Sequence, residues 1–237
     1  MNTCKNCNEP VNGNYCPNCG QPAKLERIDR HYIIQEVRGL LFADKGFVYT
    51  IKKILISPGK SVRRFITEDR YRFVKPITFL FLTSIIYALV SNLFDISDEY
   101  IQITVEGSAV ADFLNWAFEN LGYLNLIICF LVAFWLKIFF KQTGYNLFEI
   151  FIFFCFALGI TMLMYSIAVI IQAVTDLKLM QFSSTIGMIY LVWAIGQFFD
   201  RKRVATYIKA FLSYVLGVLT LAILIIAVIL IELAIRH

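Results

Sequence analysis

Five long apolar stretches constrain the fold of this chain more than any other feature. They cover residues 77–94, 121–140, 147–174, 182–199 and 206–235. A helix needs about 20 mostly apolar residues to cross the hydrocarbon core of a bilayer, where its backbone polar groups must bond to one another. The stretches therefore predict an all-α membrane protein with five transmembrane helices, which form a domain over residues 77–237.

The composition agrees with insertion into lipid. Of the 237 residues, 59% are hydrophobic and 16% are charged, and the mean hydropathy is +0.68. Soluble domains carry about 25% charged residues. The start of the chain is hydrophilic and has no apolar leader of the signal-peptide type, so we expect the internal helices to direct insertion.

The distribution of Lys and Arg predicts the orientation in the membrane. Of the 22 Lys and Arg residues, 20 lie before the first span or around the turns that join the second to the third and the fourth to the fifth. The other side holds two, and its first loop, residues 95–120, holds six acidic residues and no base. Because basic loops stay in the cytoplasm, we expect a cytoplasmic N-terminus and a C-terminus on the outer side.

Residues 1–23 carry two cysteine pairs, Cys4-Lys-Asn-Cys7 and Cys16-Pro-Asn-Cys19, with eight residues between the pairs. This spacing is typical of a zinc ribbon, in which four thiolates surround one Zn²⁺ ion as a tetrahedron. A piece of about 20 residues buries too little apolar surface to fold alone, so bound metal must stabilise it. We therefore expect these four cysteines to hold a structural zinc ion.

Two other assignments of the cysteine pairs stay open. A redox-active iron centre uses similar pairs, and two disulfides would suit an oxidising compartment. We favour zinc because the predicted orientation puts the cysteines in the reducing cytoplasm. With cysteine at all four positions, the zinc ion would have no open coordination position for catalysis.

Residues 24–76 form a basic connector between the ribbon and the first span. Their apolar residues recur at helical spacing, which predicts two or three short amphipathic helices. On the cytoplasmic side such helices lie in the membrane interface, where their bases attract anionic lipid headgroups. The alternative is a small bundle that docks on the transmembrane domain. The residues expected to bind the membrane surface are Lys52, Lys53, Lys60, Arg63, Arg64, Arg70, Arg72 and Lys75.

The charge of the ribbon also bears on its partners. Residues 1–23 contain one base, Lys5, and one acid, Glu9, so the ribbon lacks the basic patch that nucleic-acid binding needs. A protein partner at the cytoplasmic face fits the ribbon better. A second copy of the chain is a further candidate partner.

The predicted spans contain little reactive chemistry. They carry no ionisable residue at mid-membrane, where ion pathways need one, and no metalloprotease, esterase or nucleotide-binding motif. Glu149 and Lys137 lie at the same depth near the inner ends of two spans, where they can pair. Uncharged polar residues such as Ser84 and Asn125 are best explained as hydrogen-bonding groups between helices. The sequence therefore predicts a protein that is not an enzyme.

Several short elements of the first 90 residues have a family likeness. They are Tyr15-Cys16-Pro17-Asn18-Cys19-Gly20-Gln21, Arg27-Ile28, Asp44-Lys45-Gly46-Phe47, Thr50, Pro58-Gly59, Arg70 and Lys75-Pro76. With them the chain resembles a bacterial family of uncharacterised membrane proteins, domain-of-unknown-function family 3667. The resemblance implies a bacterial inner-membrane protein with a zinc-ribbon head, and it implies no activity. The layout of five spans also looks like the Yip1-type membrane domain.

These features favour an integral membrane protein that recruits or senses a protein partner through its ribbon. The alternative is a transporter of a small solute, or a lipid-handling protein, whose spans enclose a cavity lined by the uncharged polar residues.

Overall fold

The structure is a computed structural model that describes residues 2–4, 7, 9–20, 27–38, 46–68, 70, 72–94, 120–175 and 179–236. Five of its helices are long and apolar enough to cross a membrane, and they coincide with the five stretches seen in the sequence. The prediction of an all-α membrane protein with five spans is therefore confirmed. The acidic loop after the first span lies outside the described residues.

In the part of the chain that the structure describes, eight α-helices follow a short β-hairpin. The helices before the spans are α1 Arg30–Arg38, α2 Phe47–Ile56 and α3 Pro58–Thr67. The spanning helices are α4 Pro76–Leu93, α5 Leu121–Phe139, α6 Leu147–Thr175, α7 Met180–Phe199 and α8 Val204–Arg236. A short 3₁₀ turn, Lys141–Thr143, lies between α5 and α6.

Helix α6 lies at the centre of the bundle. It packs against α4, α5 and α7, and α8 packs on the outside against α5 and α7. Every residue from Glu149 to Met162 is buried. With 29 residues, α6 is about 43 Å long. Since this exceeds the roughly 30 Å of hydrocarbon in a bilayer, part of α6 needs cover from protein.

Aromatic side chains close one end of the bundle. The Phe153 and Phe198 rings stack with centroids 4.3 Å apart, and the Phe140 and Phe199 rings stack at 4.0 Å. Such pairs contribute about 0.5–1.5 kcal/mol each beyond the area that they bury. We call this end, which carries the turns 140–146 and 200–203, the basic end.

Helices α2 and α3 dock on the spanning helices near the basic end. Both pack against α6, and α3 also packs against α7. Ile54 and Val62 are fully buried, and the Phe65 ring makes an edge contact with Phe156 of α6 at 5.3 Å. The connector therefore follows the docked alternative on this side, because its apolar faces meet the aromatic side chains of α6 where the interfacial prediction expected lipid.

Two local features bring α3 close to α7. Pro58 occupies the first turn of α3, where its fixed φ suits a helix and its missing N–H is not needed. Gly59 touches the backbone of Gln197, and a Cβ atom at this position would overlap the Gln197 carbonyl oxygen. Arg63 then donates from Nη1 to the carbonyl oxygens of Gln197, at 3.0 Å, and Phe198, at 2.6 Å. These are carbonyls that the end of a helix leaves without partners.

The β-hairpin belongs to the N-terminal head. Strand β1, Asn2–Thr3, pairs antiparallel with β2, Pro10–Val11, so that Asn2 lies opposite Val11. The first cysteine pair occupies the turn between these strands. The second pair follows β2 after a bend at residues 13–14.

Candidate metal centre and its attachment to the bundle

The four N-terminal cysteines come together as the spacing predicts. The Sγ atoms of Cys4 and Cys19 are 3.5 Å apart, those of Cys7 and Cys16 are 3.4 Å apart, and all four lie within 4.8 Å of one another. Four thiolates at about 2.3 Å from a tetrahedral zinc ion would be roughly 3.8 Å apart. None of these four described cysteines is joined in a disulfide. Their number, chemistry and spacing therefore fit a tetrahedral metal ion.

Backbone hydrogen bonds hold both cysteine loops in shape. The N–H of Cys4 donates to the carbonyl oxygen of Glu9 at 2.8 Å, and the N–H of Gly20 donates to that of Cys16 at 2.9 Å. Gly20 has a φ of 72°, in the left-handed region that glycine adopts without a steric cost. These bonds flank the cluster in which the four sulfur atoms converge.

The closeness of the four thiols disfavours deprotonation of Cys7 when no cation is bound. A backbone hydrogen bond with Glu9 lowers the pKa of Cys7, but desolvation and the neighbouring thiols outweigh it and raise the pKa to about 12. A bound cation reverses this preference, because it stabilises the deprotonated form of its ligands. The donor set therefore suits a divalent ion that supplies the missing positive charge.

An ion pair attaches the segment after the ribbon to the bundle. Arg27 donates from Nε to Oε1 of Glu149 at 2.9 Å and from Nη2 to Oε2 at 3.2 Å. Its Nη2 also donates to the carbonyl oxygen of Gly144 at 2.8 Å. The Glu149 side chain is only 6% exposed, whereas that of Arg27 is 61% exposed. The hydrogen bonds and charge of Glu149 raise the pKa of Arg27, so the guanidinium stays charged.

Asn146 and Glu149 form a capping box at the start of α6. The Glu149 N–H donates to Oδ1 of Asn146 at 2.8 Å, and the Asn146 N–H donates to Oε2 of Glu149 at 2.8 Å. Asn146 also donates from Nδ2 to the carbonyl oxygen of Ile28 at 2.9 Å. One cap therefore fixes both the start of α6 and the two residues that follow the ribbon.

This site was missed in the sequence, although one signal for it is present. Asn146-Leu-Phe-Glu149 ahead of an apolar run has the spacing of a capping box. The partner of Glu149 is Arg27, whereas Lys137 donates to the carbonyl oxygen of Tyr145 at 2.6 Å. The expected pairing of Glu149 with Lys137 is therefore wrong. Glu149 pairs with Arg27, which lies 122 residues earlier in the sequence.

The bases expected at the membrane surface divide into two groups. Three arginines contact protein: Arg63 bonds to α7, Arg64 pairs with Glu68 at 3.6 Å, and the Arg70 guanidinium lies 5.2 Å from the centre of the Tyr32 ring. The exposed members of the set are Lys52, Lys53, Lys60, Arg72 and Lys75. Lipid binding by any of them stays a prediction.

Several uncharged polar residues of the spans are hydrogen-bonded inside the bundle. Asn125 donates from Nδ2 to Oγ of Ser84 at 2.9 Å, which joins α5 to α4. Thr161, Ser166 and Ser213 each donate to a carbonyl oxygen four residues earlier in their own helix. Their role as hydrogen-bonding groups therefore needs no ligand.

Comparison with known proteins gives a match to one segment of the chain. Residues 44–88 match the family model described as a protein of unknown function, DUF3667, which confirms the resemblance seen in the sequence. No curated protein and no solved structure matches the chain. The matched residues comprise α2, α3 and the first part of α4, and the ribbon lies outside them.

Several residues of the matched segment are packing residues in the structure. A Cβ atom at Gly46 would overlap the carbonyl oxygen of Arg72. The buried Thr50 accepts a hydrogen bond at Oγ1 from the Val74 N–H at 3.0 Å. These two contacts join the start of α2 to the residues just before α4, and the contact of Gly59 with Gln197 joins α3 to α7. The segment that matches the family model is therefore mainly the part of the connector that docks on the bundle.

Proposed function

We propose that this chain is a non-enzymatic protein of the bacterial inner membrane that presents a zinc ribbon to a protein partner at the cytoplasmic surface. The observation that carries the proposal is the double hydrogen bond from Arg27 to the buried Glu149. It lies eight residues after the last cysteine of the ribbon. This ion pair keeps the ribbon within eight residues of the bundle, a tether short enough to present it near the membrane surface.

Zinc is the metal that we propose for the ribbon. Four thiolates at tetrahedral spacing suit Zn²⁺ in a reducing compartment. Because all four ligand positions are cysteines, the ion has a structural role and no site for substrate. Its task is to keep a small surface folded for a partner.

The proposed orientation has support from the basic end. The turns 140–146 and 200–203 lie at this end, since Phe140 stacks on Phe199, and Arg27 bonds to Gly144 there. Exposed bases at this end include Lys141, Arg201 and Lys202. Gathering of basic segments at one end is the pattern that keeps that end in the cytoplasm. The C-terminus is then periplasmic.

Transport or lipid handling would require polar side chains that face a cavity. The hydrogen bond between Asn125 and Ser84, and the bonds of Thr161, Ser166 and Ser213 to their own helices, favour an anchoring bundle instead. The central helix supports the same assignment, because its residues from Glu149 to Met162 are buried among other helices.

The proposal is tested by capturing partners of the full chain in its native membrane. Cells expressing the protein are crosslinked, and the captured proteins are compared between the wild type and the Cys4→Ser/Cys7→Ser variant. We expect the double variant to lose zinc and to lose the captured partner while its helices remain in the membrane. Cys129→Ala is the matched control, because it removes a buried cysteine outside the ribbon. An identical set of captured proteins in all three samples would contradict recruitment by the ribbon.

A further inference from the structure

Helix α2 has a second apolar surface that points away from the protein. Thr50 and Ile54 face the bundle and are fully buried, whereas Val48, Leu55 and Ile56 are 77%, 44% and 64% exposed. Positions 48, 52, 55 and 56 follow helical spacing and form one stripe. The stripe is apolar except at Lys52. Exposure of this stripe to water would cost free energy, so we expect lipid or protein to cover it.

The contacts of α2 place it inside the length of the spanning helices. Tyr190 donates from its hydroxyl to the carbonyl oxygen of Ile54 at 3.2 Å, and it lies nine residues before the end of α7. Nine residues of helix are about 13 Å. At the other end of α2, the Phe47 ring is 5.5 Å from Phe79, in the first turn of α4. The C-terminal part of α2 therefore touches α7 inside the apolar length of that helix, and its N-terminus touches the first turn of α4.

At the depth of Tyr190, α7 also exposes an apolar side chain. Ile189, next to Tyr190, is 61% exposed, as expected for a residue that faces lipid. A stripe at the same depth on a neighbouring helix meets the same hydrocarbon. The outer face of α2 is thus placed among acyl chains.

Two adjacent lysines make the outer side of α2 positively charged. Lys52 and Lys53 are exposed, and α2 contains no acidic residue. The Lys53 ammonium lies 5.7 Å from the centre of the Tyr49 ring, which helps to hold its stem along the helix. Lysine stems are long enough to follow apolar surface while the ammonium reaches the headgroup layer. A pair of such ammonium groups is complementary to lipid phosphate.

We propose that α2 is an in-plane membrane helix that binds an anionic phospholipid. Val48, Leu55 and Ile56 insert between acyl chains, and Lys52 and Lys53 bind the phosphate of the headgroup. The arginines of α3 serve a different purpose, because Arg63 bonds to the end of α7 and Arg64 pairs with Glu68. Among the exposed bases of the connector, Lys52 and Lys53 are the ones that lie on the same helix as the exposed apolar stripe. This proposal does not depend on recruitment of a partner by the ribbon.

The first experiment identifies what covers the stripe. A benzophenone amino acid is placed at position 48 or 56 of the full chain, reconstituted in vesicles of phosphatidylcholine and phosphatidylglycerol. We expect illumination to attach phospholipid at both positions. Thr67, exposed at the end of α3, is the control position and should give little lipid adduct. Attachment to a second copy of the chain, or no more lipid adduct than at the control position, would overturn the proposal.

The second experiment tests the two lysines. Lys52→Gln/Lys53→Gln is compared with Lys141→Gln/Lys202→Gln, which removes two exposed bases from other elements of the basic end. The measurement is the phosphatidylglycerol that remains bound after purification with excess phosphatidylcholine. We expect about a fivefold loss per lysine of α2, equivalent to roughly 1 kcal/mol each, and little change in the control variant. An equal loss in both variants, or no loss in either, would contradict a site on α2.

A further arm separates lipid from free phosphate. Inorganic phosphate is added in excess during the purification of the wild-type protein. We expect bound phosphatidylglycerol to be unaffected, because the acyl chains and the stripe contribute to binding. Displacement of the lipid by inorganic phosphate would show that the site recognises phosphate alone and would overturn the role of Val48, Leu55 and Ile56.

Discussion

A buried carboxylate connects two distant parts of the chain. Oε1 of Glu149 accepts from Arg27, and Oε2 accepts from both Arg27 and the backbone of Asn146. A carboxylate that is removed from water in this way needs its donors, since an unpaired buried charge costs far more than an exposed one. Arg27 meets this need while most of its own side chain stays in solvent.

Replacement of Arg27 by alanine should therefore destabilise the protein. We expect Arg27→Ala to lower the free energy of unfolding by about 1–2 kcal/mol, a value reduced by the exposure of the arginine. Glu149→Gln should cost a similar amount, and the double variant less than the sum of the two. Thermal unfolding in detergent measures all three. Arg30→Ala, which changes an exposed arginine of α1, is the control. Full additivity of the two changes would show that the residues are not coupled.

A single glycine decides how closely α3 approaches α7. Because a Cβ atom at position 59 would overlap the backbone of Gln197, Gly59→Ala should push α3 away and weaken the bonds from Arg63. We expect a loss of about 2–3 kcal/mol in the free energy of unfolding. Gly13→Ala is a matched control, since no atom lies within 4 Å of its added Cβ. Equal melting temperatures for the two variants would contradict the close approach.

At this scale the sequence predicts residues that act through local spacing. The meeting of the four cysteines follows from the pattern of the chain, and the capping box of Asn146 and Glu149 was recognisable in the same way. The bond from Arg27 to Glu149 was not predictable, because helical periodicity says nothing about partners 122 residues apart.

The ribbon is the element whose stability depends most on solution conditions. Metal binding requires deprotonated thiols, and in the absence of metal the pKa of Cys7 is raised to about 12. Protons therefore compete with the metal, and the bound state is favoured as the pH rises.

We accordingly expect the zinc affinity of the purified protein to fall steadily as the pH is lowered through neutrality. Titration with a zinc indicator at several pH values measures it. A strong chelator should unfold the ribbon while the helical circular dichroism of the bundle changes little. The Cys16→Ser/Cys19→Ser variant should show no such zinc uptake. An affinity that does not change with pH would contradict ligation by four thiolates.

For the helices of the connector, the sequence does not predict what covers each apolar face. Apolar spacing correctly indicated short amphipathic helices in residues 24–76. An apolar face does not reveal whether lipid or protein will cover it, since both are apolar. In α3, Phe65 packs against Phe156, and α2 buries Ile54 against the bundle while exposing Val48. Only the tertiary arrangement distinguishes the two faces.

The whole molecule is a bundle with its charged turns at one end. The five spans could be predicted because length and hydropathy are local properties of the sequence. Which span lies at the centre could not, since all five are similarly apolar. Helix α6 takes that place through its large buried side chains, from Ile150 to Phe156.

The proposed orientation predicts the result of reporter fusions. A reporter that is active only in the cytoplasm should be active when fused after residue 144 or residue 202. A reporter that is active only in the periplasm should be active after residue 178 or residue 237. Exchange of the two reporters at each site is the control. The opposite pattern would place the ribbon in the periplasm and would contradict both the charge rule and the reducing environment of the thiols.

The bond between Arg63 and Phe198 spans 135 residues of sequence. A ribosome adds about 5–20 residues per second, so α3 leaves it on the order of ten seconds before the carbonyl that it will bind. During this interval α7 is not yet complete, so the nascent connector cannot pack against it. The apolar faces of the connector are then accessible to chaperones and to the bilayer surface. Assembly of the basic end is thus a late event of biogenesis, and a chain truncated before residue 198 would leave the connector undocked.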